Sequence, residues 1–240
     1  MSKNRQGENS ESVEKSKYRQ EVLKKIEELE KEGKFDVDAE NDPPTIVLTP
    51  ENVDYLRRKM SSKLKRIFAN KVGERFLNNL LKEIKGIENL SKVSTGAIVT
   101  CNHFNPFDCF TIEKVFRMSG KIEEKRLYKV IREGNYTNFP GLYGFFFRNC
   151  DTLPLSSNKR TMVEFMKAVD TLLQKGDFIL IYPEQSMWWN YRKPKPLKHG
   201  AFKMAVRNNV PVIPIFITMQ DSDKIDGEGY PIQEYTVNIS

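Results

Sequence analysis

Between Val99 and Phe110 the chain reads Val-Thr-Cys-Asn-His-Phe-Asn-Pro-Phe-Asp-Cys-Phe, which sets His103 and Asp108 on either side of an Asn-Pro turn. The apolar run from Ala97 to Cys101 reads as a buried strand. Asn105-Pro106 breaks it, and helical spacing resumes from about Asp108 to Met118. His103 then stands at a strand end and Asp108 near a helix start. A carboxylate so placed accepts a hydrogen bond from one ring nitrogen and leaves the other to take a proton. That is the orienting half of a nucleophilic triad with no protein nucleophile, so a substrate must bring the hydroxyl. The competing reading is structural, with Asp108 as an ordinary helix N-cap and His103 as a satisfied strand-end histidine.

Other chemistries fit less well. Cys101, Cys109 and Cys150 show no metal-ligand spacing, and the apolar surroundings of Cys101 and Cys109 suit buried, inert thiols. A Cys101–His103 thiol–imidazole pair would share a strand face but lacks the exposed, electropositive setting of a reactive thiol. A zinc site built from Cys101, His103, Asp108 and Cys109 matches no common ligand pattern. No metal is expected.

The elements that must carry this pair are legible downstream. Ile87 lies in a short strand or turn, Gly96–Cys101 in a strand and Asp108–Met118 in a helix. Leu127–Ile131 reads as a strand, Gly144–Leu155 as apolar extended segments and Lys159–Lys175 as a helix. Phe178–Tyr182 is a buried strand, Gly200–Asn208 a helix and Val210–Thr218 a strand. Such alternation predicts an α/β fold, a mostly parallel mixed sheet flanked by helices. Residues 86–240 form this domain.

Upstream, residues 1–45 are a charged, partly disordered extension. Within it Glu11–Lys34 carries Val22, Leu23, Ile26 and Leu29 at helical spacing and ends at Gly33, too polar for a core and suited to a loosely docked helix. Residues 46–85 read as a helical, basic amphipathic segment. From Ser61 to Ile84 the apolar positions, including Leu64, Phe68, Phe76, Leu81 and Ile84, share one face, with Lys63, Lys65, Arg66, Lys71 and Arg75 beside it. This pattern suits a helix on an anionic membrane surface and equally one covering a sheet.

The formal charge of +7 is unevenly distributed. Residues 1–49 hold 9 Lys/Arg against 12 Asp/Glu, and residues 50–85 hold 10 against 4. Residues 186–207 carry Arg192, Lys193, Lys195, Lys198, Lys203 and Arg207 with no acid. Two basic zones point to an anionic partner, a phosphate-bearing substrate or a lipid surface, or else to solvated faces. No nucleic-acid-binding signature is present. The longest apolar run falls short of the roughly 18 residues needed to span a bilayer, and the N-terminus lacks a signal-peptide core. A cytoplasmic protein, peripheral on the inner face of the cell membrane, is expected.

Several blocks recur in one order. Ile87-Glu88-Asn89-Leu90 precedes the strand leading to Asn-His-Phe-Asn-Pro-Phe-Asp. A Phe-Ile-Leu-Ile-Tyr strand then ends in Pro183-Glu184, followed by Lys-His-Gly-Ala-Phe from Lys198 and Val-Pro-Val-Ile-Pro from Val210. In these blocks the chain resembles the glycerolipid acyltransferases typified by bacterial 1-acylglycerol-3-phosphate acyltransferase, over about residues 60–218. The resemblance implies that His103 is the general base on an acceptor hydroxyl, oriented by Asp108. The hydroxyl attacks the thioester of acyl-CoA or acyl carrier protein, which serve as co-substrates, with no other cofactor. The implied acceptor is lysophosphatidate or a similar anionic lysophospholipid. Against the family pattern, Gln185-Ser186-Met187 replaces the Gly-Thr-Arg that follows Pro-Glu, so the expected phosphate-binding arginine is missing. Glu184 remains, Ser186 can stand in for the threonine hydroxyl, and Lys198, Arg192 or Lys193 can supply charge. A second family arginine falls near Leu155-Ser156, where there is none; Arg160 is preferred over Arg148 and Lys159 as its substitute, and Arg132 is a further candidate. The altered block leaves open a glycolipid or another lysophospholipid as acceptor, or a non-catalytic membrane-binding module. Trp188-Trp189-Asn190-Tyr191 reads as an acyl-tunnel or membrane-interface element, or as packing beneath the Lys193–Leu197 loop. Ending strand-like at Val237–Ser240, short of the usual family length, the chain reads as a truncated or short member.

Overall fold

The computed structural model of the chain describes residues 14–40, 45–56, 71, 80–122 and 125–240. Among these, seven strands form one sheet: β1 (Leu81–Lys85), β2 (Ala97–Thr100), β3 (Leu127–Arg132), β4 (Thr152–Leu155), β5 (Phe178–Ile181), β6 (Val212–Ile225) and β7 (Pro231–Ile239). Their spatial order is β1-β7-β6-β2-β5-β3-β4, and every neighbouring pair is parallel except β6 with β7. The mostly parallel mixed sheet expected from the sequence is therefore present.

The central strands are apolar on both sides because helices cover both faces. Alternate residues divide between two cores. Ala97, Val99, Phe178 and Leu180 face α2 (Asp108–Met118), which contributes Ile112, Val115 and Phe116. Ile98 and Ile179 face α5 (Lys159–Gln174) and α6 (Gly200–Asn208), where Phe165, Val169, Leu172, Ala201 and Ala205 are buried. Asn158 caps α5 by accepting from the backbone N–H groups of Arg160 and Thr161 at 2.9 and 3.3 Å. Gly96 lets β2 start beneath α5, since a Cβ there would stand 2.3 Å from the Leu173 carbonyl oxygen.

Three expectations are corrected. Leu81 and Ile84 lie in β1, not on a helix; β1 pairs with β7, so a partner about 150 positions away decides its conformation, which local periodicity does not register. The remainder of the expected amphipathic helix, residues 57–70 and 72–79, lies outside the described residues. Gly144–Asn149 is helical, not extended, as part of α4 (Gly141–Asn149), which follows α3 (Glu133–Asn138). Its aromatic run fits either state by pattern alone. Packing selects the helix: Phe146 meets Phe110 edge-on, and the Arg148 guanidinium donates to the Tyr136 and Phe139 carbonyls at the end of α3, each at 3.2 Å.

The third correction concerns the extension. Helix α1 (Lys17–Lys31) buries Val22, Ile26 and Leu29 against Trp188, Trp189 and Tyr230, so despite its charge it builds a third, smaller apolar core. Trp188 is fully buried between the Phe35 ring, with centroids 5.6 Å apart, and the Lys195 ammonium, 4.8 Å from its ring centroid. Trp188 packs against Lys195 of the 193–197 loop, as one reading had it, while Trp189 meets Tyr230 and Arg19, and both seat the extension. Both are buried.

Candidate active site

Parallel strands place their carboxyl ends on one edge of the sheet, where the loops open into a crevice. The adjacent strands β2, β5 and β3 deliver, in that order, His103, Tyr182 with Glu184, and Arg132 to this edge. The turn after β2 is shaped by Asn105, whose side-chain oxygen accepts from the Phe107 N–H at 2.9 Å and whose carbonyl accepts from the Asp108 N–H at 3.2 Å.

Asp108 opens α2 but does not cap it. Its Oδ2 lies 2.8 Å from His103 Nδ1 and accepts from the Phe104 and Asn105 N–H groups at 3.1 and 3.4 Å; the Tyr182 hydroxyl donates to Oδ1 at 2.5 Å. The carboxylate is 0 % exposed while the imidazole is 25 % exposed. An ionised carboxylate only accepts, so Nδ1 carries the proton and Nε2 presents its lone pair. Tyr182 also stacks on the imidazole, with centroids 4.0 Å apart. Burial, reinforced by the Asp108 charge, holds the Tyr182 phenol well above its ordinary pKa, so it stays a donor. The arrangement fixes one ring nitrogen and leaves the other, with its lone pair, able to take a proton.

Glu184 is buried and works behind the histidine. It accepts from the His103 N–H at 3.3 Å and the Lys195 N–H at 3.3 Å, and pairs with the Lys195 ammonium at 3.4 Å. Burial lowers the Lys195 pKa, against the raising influence of Glu184. Ser186 is also buried; its hydroxyl donates to the Phe35 carbonyl at 2.6 Å and accepts from Lys195 Nζ at 2.7 Å. Both residues hold the loop after β5. Gln185, standing where the family pattern has glycine, keeps a left-handed backbone with φ +63°, a conformation that costs an L-residue about 1–2 kcal/mol.

Arg132 and Lys198 border the same loop. Arg132 Nη2 donates to the Gln185 carbonyl at 2.9 Å and Nη1 pairs with Asp38; Lys198 pairs with Asp36 at 2.8 Å. Arg160 is not brought to this cluster: it stands exposed at the start of α5, 3.5 Å from Glu51. Of the other candidates, Arg148 supports the end of α3, Arg192 pairs with Asp221, and Lys193 pairs with Glu30. Much of the basic zone at 186–207 is thus answered by acids of this same chain. Sequence reasoning missed Tyr182, Lys195, Asp36 and Asp38. Tyr182 carried a signal, as the residue preceding Pro-Glu at a buried strand end; the two aspartates carried none.

Residues 82–218 match the family model described as Acyltransferase. A curated relative, the chloroplastic 1-acyl-sn-glycerol-3-phosphate acyltransferase BAT2 of Brassica napus, is 28% identical over 144 residues, 60% of this chain. The matched stretch spans only 38% of that relative's length. The crystal structure of the 1-acyl-sn-glycerophosphate (LPA) acyltransferase PlsC from Thermotoga maritima aligns with TM-score 0.49 at 19% identity, covering 78% of this chain and 72% of that one. On the family match, which takes in the strand-end histidine, its aspartate and the Pro-Glu loop, this chain belongs to the Acyltransferase family.

Proposed function

We propose that the chain transfers a fatty acyl group from a thioester donor, acyl-CoA or acyl carrier protein, to the hydroxyl of a lysoglycerophospholipid, either lysophosphatidate or one whose phosphate carries a further headgroup, in phospholipid synthesis. One observation carries this reading: His103 Nδ1 is tied to the buried Asp108 carboxylate at 2.8 Å while the imidazole stays partly exposed. Nε2 takes the hydroxyl proton as the oxygen attacks the thioester carbonyl. The tetrahedral intermediate collapses with cleavage of the C–S bond, and the imidazolium returns the proton to the leaving thiolate. Asp108 holds the ring and stabilises its charged form. Much of the rate comes from holding hydroxyl and thioester together. Arg132 and Lys198 are the cations assigned to the acceptor side, and Glu184 and Ser186 support the loop between them.

The test is thiol release from acyl-CoA or acyl carrier protein, with and without lysophosphatidate. His103→Ala should lower turnover by about 10²–10⁴-fold. Equal release by both proteins above background would sink the base assignment, and release at background in both would leave only a lipid-binding module. Among the described residues no helix is long and apolar enough to cross a membrane. Peripheral association with the cytoplasmic membrane face is proposed from the basic excess of residues 50–85. Cosedimentation with anionic vesicles that weakens as salt rises supports it; salt-insensitive or absent binding counts against it. One observation favours the second of these acceptors, a lysophospholipid whose headgroup offsets its phosphate charge: Arg132 and Lys198 are already paired with Asp38 and Asp36.

A further inference from the structure

We propose that Asp38 is a specificity-determining residue, a built-in carboxylate seated where an acceptor's phosphate would bind, which selects acceptors whose head carries no net negative charge. The inference rests on the reading of His103 as base for a lipid hydroxyl. Both Asp38 oxygens are engaged by donors of the kind that hold phosphate. Oδ1 accepts from the Met187 N–H at 2.6 Å, and Oδ2 pairs with Arg132 Nη1. The seat adjoins the base: Trp188, the next residue, donates its N–H to the His103 carbonyl at 3.4 Å, and Glu184 accepts from the His103 N–H at 3.3 Å.

Asp38 is a fixed part of this edge. The Trp188 indole N–H donates to the Val37 carbonyl at 2.8 Å, and the Ser186 hydroxyl to the Phe35 carbonyl at 2.6 Å. Trp188 and Ser186 are buried, so lifting residues 35–38 strands two buried polar groups. The neighbouring cations are matched in the same way, Lys198 by Asp36 at 2.8 Å and Lys195 by Glu184 at 3.4 Å. A phosphomonoester carries about −1.5 to −2 charge. Here it would meet cations already compensated, and the Asp38 carboxylate would repel it.

The experiment compares kcat/KM for lysophosphatidate and for lysophosphatidylcholine in wild type, Asp38→Asn and Asp38→Asn/Arg132→Gln. Asparagine keeps an oxygen for the Met187 N–H, so residues 35–38 stay seated without the charge. Wild type should favour lysophosphatidylcholine. Asp38→Asn should move the ratio at least tenfold toward lysophosphatidate, and adding Arg132→Gln should cancel that gain. A wild type that prefers lysophosphatidate, or a ratio unmoved by Asp38→Asn, overturns the proposal. A measurement on wild type alone guards against misfolding: lysophosphatidate should inhibit lysophosphatidylcholine acylation with a constant at least tenfold above the KM of that acceptor, and a constant at or below it refutes the assignment. His103→Ala separates the two failures, because turnover surviving there sinks the base assignment, whereas an unmoved ratio with His103 essential sinks only the role of Asp38.

Discussion

The imidazole of His103 lies against the phenol of Tyr182, ring centroids 4.0 Å apart and planes 17° from parallel. The same phenol donates to the far oxygen of Asp108 at 2.5 Å. One residue at the end of β5 thereby clamps both members of the pair, face-on for the ring and by hydrogen bond for the carboxylate. In Tyr182→Phe the ring support remains and the hydrogen bond is lost. Turnover should fall several-fold with KM nearly unchanged, and a KM effect without loss of kcat would refute the positioning role.

Asp108→Asn tests orientation more severely. An amide can donate toward Nδ1, which favours the wrong tautomer and leaves no carboxylate to stabilise the imidazolium. Turnover should drop by about 10²–10⁴-fold, with the melting temperature measured alongside to separate chemistry from folding.

The cysteines should be inert in the native protein. Burial pushes the Cys101 thiol well up and that of Cys150 to about 12, and raises Cys109 as well. Only thiolate reacts quickly, so iodoacetamide at pH 8 should leave all three unmodified, as read by mass spectrometry, until denaturant is added. Rapid labelling that abolishes activity would revive a catalytic thiol.

Glu133 at the end of β3 accepts from the Leu48 N–H at 2.9 Å, the Ser156 hydroxyl at 2.8 Å and the Ser157 N–H at 2.9 Å. Burial raises its pKa, but these hydrogen bonds outweigh it and the net displacement is downward. A carboxyl whose folded pKa is depressed stabilises the fold above its unfolded value and ceases to do so as pH falls through the folded value. Glu133→Gln should therefore cost about 1–3 kcal/mol in denaturant titrations at pH 7. The difference should shrink below about pH 4, near the ordinary glutamate value. A gap that persists unchanged into acid would contradict this account.

The docking of the extension is likewise measurable. Trp188 fills the space between Phe35 and Lys195 and satisfies the Val37 carbonyl. Trp188→Ala should cost about 3–5 kcal/mol and expose the 17–40 region to limited proteolysis. Ile26→Ala, on the buried face of α1, should do the same more mildly, by about 2–4 kcal/mol. Unchanged stability and protease resistance in both would show that the extension is dispensable.

The chain alone determined what short-range pattern controls. The apolar runs of β2 and β5, the Asn-Pro break and the periodicity of α2, α5 and α6 specify elements within a few residues, and the spacing of His103 and Asp108 follows from them. Tertiary structure decided whatever depends on partners distant in sequence. Leu81–Lys85 is a strand because β7 pairs with it, and Gly141–Asn149 is a helix because Phe110 and the end of α3 receive it. Tyr182 meets Asp108 only because β5 lies beside β2. Asp38 reaches Arg132 and Met187 only because the tryptophans after β5 bury the face of α1. Helical and strand periods are local properties of a chain; an ion pair across 94 positions and a hydrogen bond across 149 are properties of packing, and no single-sequence pattern encodes them.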